Sequence, residues 1–433
     1  ANVVIILLIS VILRFYNYGS RFGLAYDQAH DAVVAHYALQ EKLIPLVGPF
    51  SSAGPFQTGG EWYWFIMLGS LLIPQVVASP WIFLTLVYVL FVYLIVKVGE
   101  KLIDKTFGLI AGALAAVSTA QIAQGTNLTN QGPEAVLALG AIWAGVSYIR
   151  NKKPLHAFLL GLFISLGVSI HLQAVALYSL VVFVIIFAGI PKLKSVVGLV
   201  IGIFLPFIPI LIFDFQNDFV NTGNMLRYFL HDQYKIPLEA LGRRWLTYAG
   251  VFWPAAWGHI VGGSTILGYV SMIGVIFVGI YAAISKKIDR TLLFLIVSFI
   301  AMVIVLRYIR TPLYDSYLVF LNPFVILLTG LAIYFIYKRR TIVGLIIFGV
   351  IVIGSLYKDF GEIRNSGNLV TRMMTERWRN ALAKDYPNDK FVFYNYKFRS
   401  QDVSLPLVLY MYYDRKIDNH GRKIGVGILS DKE

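Results

Sequence analysis

Two aspartates four residues apart, Asp27 and Asp31 in the run YDQAHDA, share one face if that run is helical. A carboxylate at a helix start sits where negative charge is favoured, and it can accept a proton from a substrate hydroxyl. The same position suits a helix cap, so Asp27 reads as cap, as general base, or as both. Arg243 and Arg244 are adjacent, and Arg307 and Arg310 are three apart, which puts the latter pair on one face of a helical end. Guanidinium forks suit phosphate recognition, although such side chains also snorkel their charge to lipid headgroups. His171 and Gln173 flank Leu172 between two apolar runs, where an interhelical hydrogen bond competes with substrate contact as their role. Trp62, Tyr63 and Trp64 read as interface anchors or as a platform for stacking a sugar. Asp27 is the one candidate catalytic group. Gln28, Asp31, Glu61, Tyr63, Asn130, His171, Gln173, Arg243, Arg244, Arg307, Arg310 and Tyr314 are the candidate substrate contacts.

These residues sit among elements of a particular kind. Of 433 residues, 58% are hydrophobic and 14% charged, where a soluble chain averages about 25% charged. Mean hydropathy is +0.71, and apolar runs of roughly 17–25 residues recur, the length that crosses a bilayer as a helix. The sequence is that of an all-α polytopic membrane protein. A soluble enzyme, a DNA-binding module and a disordered scaffold are excluded. The net charge of +14 follows from 37 basic and 23 acidic residues. Lys and Arg collecting in cytoplasmic loops explains it without nucleic acid. The absence of cysteine removes disulfides, thiol chemistry and Cys-ligated metals. The start is apolar at once, without a charged n-region or cleavage site, and reads as a clipped first transmembrane helix rather than a signal peptide.

Five basic clusters punctuate the apolar part: Lys97/Lys101/Lys105, Arg150/Lys152/Lys153, Lys192/Lys194, Lys286/Lys287/Arg290 and Lys338/Arg339/Arg340. If all are cytoplasmic, each interval between them crosses the membrane an even number of times, and the intervals allow it. The interval from Leu155 to Gly189 then holds two short helices turning near His171. With a first helix over Asn2–Leu13, one over Pro80–Val96 and a last over Thr341–Tyr357, the total is roughly eleven crossings. Trp62–Ile73 is short and ends at Pro74, so it is expected to lie in the interface. The expected organisation is a transmembrane domain over residues 1–357, with outer loops at 16–79 and 214–263. A small extracytoplasmic α/β domain is expected over 358–433, with a helix at Leu369–Lys384 and strands at Lys390–Tyr396 and Lys423–Leu429.

The membrane cores hold almost no ionisable groups, whereas pumps and transporters place them at mid-depth. Here the acids and the outer-face arginines gather at helix ends on one side. A site at the outer interface, acting on something with a polar head and an apolar tail, fits this better than a channel.

The early acidic run, the interfacial helix that follows, the turn at Gly48-Pro49 and the aromatic helix after Gly59-Gly60 form one pattern. It resembles the GT-C superfamily of glycosyltransferases, in particular the bacterial branch related to protein O-mannosyltransferases and the lipid A aminoarabinose transferase. Looser echoes are SIHLQA (Ser169 to Ala174), LPFIPILIFDFQNDFVNT (Leu205 to Thr222) and YLVFLNPFVILLTG (Tyr317 to Gly330). The likeness covers residues 1 to 357. It implies a polyprenyl-phosphate-linked sugar as donor, with Asp27 as base and a lipid, glycan or protein as acceptor. The active site would lie on the outer face of a prokaryotic plasma membrane. Two departures stand out. Many relatives carry a Lys before the second interfacial helix, where this chain reads Gln57-Thr58-Gly59-Gly60-Glu61, so the phosphate needs other cations. Many also carry a metal-supporting acid in the short outer loop between the two apolar runs of 107–148, where this chain reads Asn127 to Glu134 with Asn130 inside. That weakens the case for a divalent metal, and no metal ligand is assigned. The rival class is a flippase for a lipid-linked saccharide, which would need a cationic cavity at membrane depth.

Overall fold

The computed structural model describes residues 2–74, 76–284, 289–310, 314–364, 368–395, 406–410, 413–414, 416–417 and 422–426. Its elements are mostly helices. The first half holds α1 (Asn2–Phe15), α2 (Tyr26–Gln40), α3 (Glu61–Leu72), α4 (Ser79–Leu102), α5 (Lys105–Ala116), α6 (Thr119–Gln124), α7 (Glu134–Asn151) and α8 (Pro154–Ile170). Then come α9 (Ser179–Ala188), α10 (Leu193–Phe204), α11 (Ile208–Gln216), α12 (Val220–Leu230), a single turn α13 (Trp245–Thr247) and α14 (Trp253–Ile260). The last are α15 (Thr265–Ile284), α16 (Arg290–Tyr308), α17 (Asn322–Arg339), α18 (Thr341–Arg364) and α19 (Asn368–Asp385).

Among the described residues, five stretches are long and apolar enough to cross a membrane. They are α4, residues 193–216 through α10 and α11, α16, residues 315–339 ending in α17, and α18. Residues 245–260 and the first part of α15 make a sixth if the pair, bent by 98°, counts as one span. The apolar helices α1, α5, α8 and residues 172–188 are shorter. This is a multi-pass membrane protein. α17 is enclosed by its neighbours, whereas α10, α11 and α18 leave most of their apolar surface open, as lipid-facing helices do. α18 runs past Tyr357 to Arg364 because Asp359 and Ile363 are still buried against the bundle.

Charge partners show which helix ends lie together. Lys338 stands 3.4 Å from Asp104, the N-cap of α5, and the Tyr334 hydroxyl donates to the same carboxylate at 2.6 Å. Arg150 donates to the Leu102 carbonyl at 3.1 Å and stands 3.6 Å from Asp289, the N-cap of α16. Lys101 donates to Ser147 at 2.6 Å. Lys101, Arg150 and Lys338, from three of the basic clusters, therefore meet at one end of the bundle with Asp289, which neighbours Arg290 of a fourth; Lys286 and Lys287 lie outside the described residues.

The opposite end carries the loops. α2 lies against α3, and between them runs an antiparallel hairpin, β1 (Val47–Phe50) and β2 (Gln57–Gly59), in a segment expected only to turn. Glycine is required at its exit: a Cβ on Gly59 would stand 1.9 Å from Ser169 Oγ at the end of α8. The second outer loop clips onto the same hairpin. Asn221 Oδ1 accepts from the Gln57 amide at 2.6 Å, and the buried Asp214 accepts from the Asn221 and Thr222 amides at 2.9 and 3.0 Å. After α18, the tail forms α19 and two parallel strands, β3 (Phe391–Asn395) and β4 (Arg422–Val426), with Phe391 opposite Arg422. Phe391 and Leu407 pack on Trp378 and Leu382 of α19.

Candidate active site

The site is built where α2 meets three segments: the hairpin, the α6–α7 loop and the break after α8. Ala25, in extended conformation, starts α2 and makes no side-chain cap bond, so Asp27 falls in the first turn. Asp27 is exposed, and no hydrogen bond to its carboxylate is made among the described residues. Capping is therefore not what this carboxylate does. Asp31, one turn on, is the opposite case: it is 4% exposed, and both oxygens are engaged. Trp62 Nε1 donates to one at 2.7 Å, and His30 Nδ1 stands 3.0 Å from the other. Burial pushes the Asp31 carboxyl above the usual carboxylate range, against the pull of those two bonds, and the bond to Asp31 in turn raises His30. Asp31 thus joins α2 to α3 and leaves Asp27 as the open carboxylate.

Asp27 lines a cavity of about 530 Å³ together with Tyr26, His30, Asp31 and residues of the hairpin. The far wall comes from Asn127, Thr129, Asn130 and Gln131 of the α6–α7 loop, His171 and Gln173 after α8, and Tyr317. Sequence distance conceals how that wall is braced. Glu134, fully buried at the start of α7, stands with Oε1 3.1 Å from His171 Nδ1. His171 Nε2 faces Gln131 Nε2 at 3.3 Å, and its ring meets Tyr317 edge-on with centroids 5.3 Å apart. Asn130 donates to the Ile170 carbonyl at 3.0 Å. Glu134 is not among the candidate contacts; nothing in the sequence links it to a histidine 37 positions away. A second cavity of about 390 Å³ adjoins the first, sharing Asn127 and Ser316. Ala25 and Gln28, on either side of Asp27, line it, with Arg21, His259, Asp315 and Asp359 on other walls. Gln28 also donates to Asn127 Oδ1.

Asp27, Asp31, Asn130, His171 and Gln173 therefore share one cavity, and Gln28 lines its neighbour. The other candidate contacts line neither. Glu61 accepts from Ser169 at 2.8 Å and ties α3 to α8, with burial raising its carboxyl. Tyr63 is buried beside Asp31, and Tyr314 is exposed with its ring edge-on to Tyr317. Arg307 stacks over Trp245 at 4.3 Å and Tyr308 at 5.0 Å. Arg310 lies over Tyr234 at 4.9 Å and donates to the Ile236 carbonyl at 2.8 Å. Arg243 is buried over Tyr248 at 5.9 Å, and Arg244 is exposed. Among the described residues, no group of three or more His, Cys, Asp or Glu is placed to hold a metal ion.

No protein-family model matches this sequence, and neither does any curated protein. Solved structures do match. ArnT from Cupriavidus metallidurans in the apo state superimposes with a TM-score of 0.66 at 9% identity, over 96% of this chain and 88% of that one. The same protein bound to undecaprenyl phosphate gives 0.64 at 9% identity, over 97% and 89%. The archaeal oligosaccharyltransferase AglB from Archaeoglobus fulgidus, in complex with an inhibitory peptide and a dolichol-phosphate, gives 0.54 at 12% identity over 94% of this chain. The match spans 63% of that longer protein. The chain therefore shares its helical fold with ArnT and AglB.

Proposed function

We propose that this protein is a glycosyltransferase that moves a sugar from a polyprenyl-phosphate carrier to an acceptor hydroxyl at the outer face of a prokaryotic plasma membrane. The observation that carries the reading is Asp27: an open carboxylate without a hydrogen bond among the described residues, on the wall of one cavity and beside a second. Two adjoining cavities suit two substrates. The acceptor hydroxyl gives its proton to Asp27 while its oxygen bonds to the anomeric carbon. The bond from that carbon to the phosphate oxygen breaks, and the phosphate leaves with the electron pair, so one displacement inverts the anomeric centre. A phosphate leaving group needs little protonation, so the site needs a base and groups that favour the departing charge. The side chains of His30, Asn130, His171 and Gln173 line the Asp27 cavity. That AglB was solved with a dolichol-phosphate and ArnT with undecaprenyl phosphate supports a lipid-linked donor.

In this reading, the end bearing the basic clusters is cytoplasmic, and the shorter apolar helices complete roughly eleven crossings. Residues 1–357 form the catalytic domain and 358–433 a small extracytoplasmic α/β domain. The partners are the lipid-linked donor, a lipid, glycan or protein acceptor and the bilayer, with no nucleic acid. Mass spectrometry of the protein purified from its host membrane is expected to find a polyprenyl phosphate or its glycosylated form. Since Arg307 and Arg310 already have aromatic and carbonyl partners, an Arg307→Gln/Arg310→Gln variant is expected to retain that lipid. Loss of the lipid in this variant alone would return those arginines to the donor site. Absence of any such lipid from the wild type, even after incubation with it, would count against the donor class.

A further inference from the structure

The chemistry proposed above depends on where α2 holds Asp27, and the back of that helix is held by the tail. His36 lies nine residues after Asp27, which at about 100° per residue places the two on opposite sides of α2. The Tyr413 ring stacks on the His36 ring with centroids 4.6 Å apart and planes 29° from parallel. The Tyr413 hydroxyl faces the side chains of Ser70 in α3 and Ser79 at the start of α4. One tyrosine from the tail thus faces α2, α3 and the start of α4. The segment bearing it is fixed in turn. Arg379 of α19 donates to both oxygens of Asp414 at 2.6 and 2.5 Å, a paired contact with defined geometry. Leu409 and Tyr410 are buried in the main hydrophobic core of the bundle rather than in a core of the tail's own.

We infer that the tail acts as a clamp, with Tyr413 and His36 as positioning residues that hold α2, and with it Asp27, against the rest of the site. This rests on the transferase reading only for what α2 does, not for how it is held. A helix of 15 residues is marginal on its own; Asp31, Ala32 and Ala35 of α2 are buried against the bundle, and Gln28 donates to Asn127. The Tyr413–His36 stack adds a tail contact at a position turned away from Asp27.

Hydrogen exchange of the full chain in detergent or nanodiscs tests this directly. In Tyr413→Ala, amides of residues 26–40 are expected to exchange at least about tenfold faster than in the wild type, with α8 and α17 unchanged, as a local opening requires. Tyr413→Phe keeps the ring and should fall between the two. His36→Ala should reproduce the effect and add little to Tyr413→Ala, since paired residues are not additive. Transfer should slow in both alanine variants without a change in the shape of the pH profile, because no titrating catalytic group is removed. Wild-type exchange over residues 26–40 in Tyr413→Ala, or full additivity of the two alanine variants, would overturn the clamp; if Tyr413→Ala does not fold, His36→Ala decides by the same readout. Inactivity of the wild-type protein toward every donor would overturn the transferase reading and leave the exchange result standing.

Discussion

Asp27→Asn is expected to lower the rate of sugar transfer by about 10²–10⁴-fold, the usual cost of removing a general base, with folding and donor binding little changed. The reason is that the native structure makes no use of this carboxylate. It is exposed, no side chain or amide among the described residues hydrogen-bonds to it, and Ala25 rather than Asp27 begins the helix. Asn keeps the shape and loses only the ability to take a proton. Asp31→Asn is the instructive comparison, since it removes the neighbouring carboxylate on the same helix. Asn offers one acceptor oxygen where Asp31 uses two, so either Trp62 or His30 loses its bond. Where the loss falls on the buried Trp62, leaving its N–H unsatisfied costs about 1–3 kcal/mol. The first variant should therefore show its defect in turnover and the second in the unfolding midpoint. Near-wild-type transfer by Asp27→Asn would remove the base from the mechanism.

His171→Ala is expected to be the most damaging single change to the stability of the outer end. It leaves Glu134 fully buried without its imidazole partner and takes the brace from Gln131. Leaving a buried hydrogen-bonding group without its partner costs about 1–3 kcal/mol, a sizeable part of what holds a protein folded. His171→Gln retains a hydrogen-bonding group and should recover part of the loss. Thermal unfolding in detergent reads both. An unfolding midpoint for His171→Ala within a degree of the wild type would show that the pair carries no stability.

These cases mark what was legible in the chain. Membrane residence, the grouping of basic clusters at one end and the turn at His171 follow from apolar run lengths and charge parity, which act through the whole sequence. Asp27 was picked out in the sequence by its place in the GT-C-like pattern of the first outer loop, and the structure puts it on a cavity wall. The hairpin was not, since strands of four and three residues rich in Gly and Pro leave no alternation to read. The Glu134–His171 pair and the Tyr413–His36 stack join residues far apart in sequence, and a single chain carries no signal for such pairings. The arginines show a different limit. Their charge and spacing suit phosphate, but the aromatic rings of Trp245, Tyr308 and Tyr234 already cover the guanidinium groups of Arg307 and Arg310.

The central claim, that this membrane protein breaks the bond between sugar and lipid phosphate, is tested most directly in proteoliposomes loaded with a synthetic polyprenyl-phosphate sugar and host-derived acceptor lipids and glycans. Mass spectrometry of the products, with the anomeric configuration read by NMR, follows both halves of the reaction. The account predicts free polyprenyl phosphate and glycosylated acceptor in equal amounts, with the anomeric centre inverted and both lost in Asp27→Asn. Donor that crosses the bilayer with its sugar still attached, and no glycosylated product, would contradict it and identify a flippase instead.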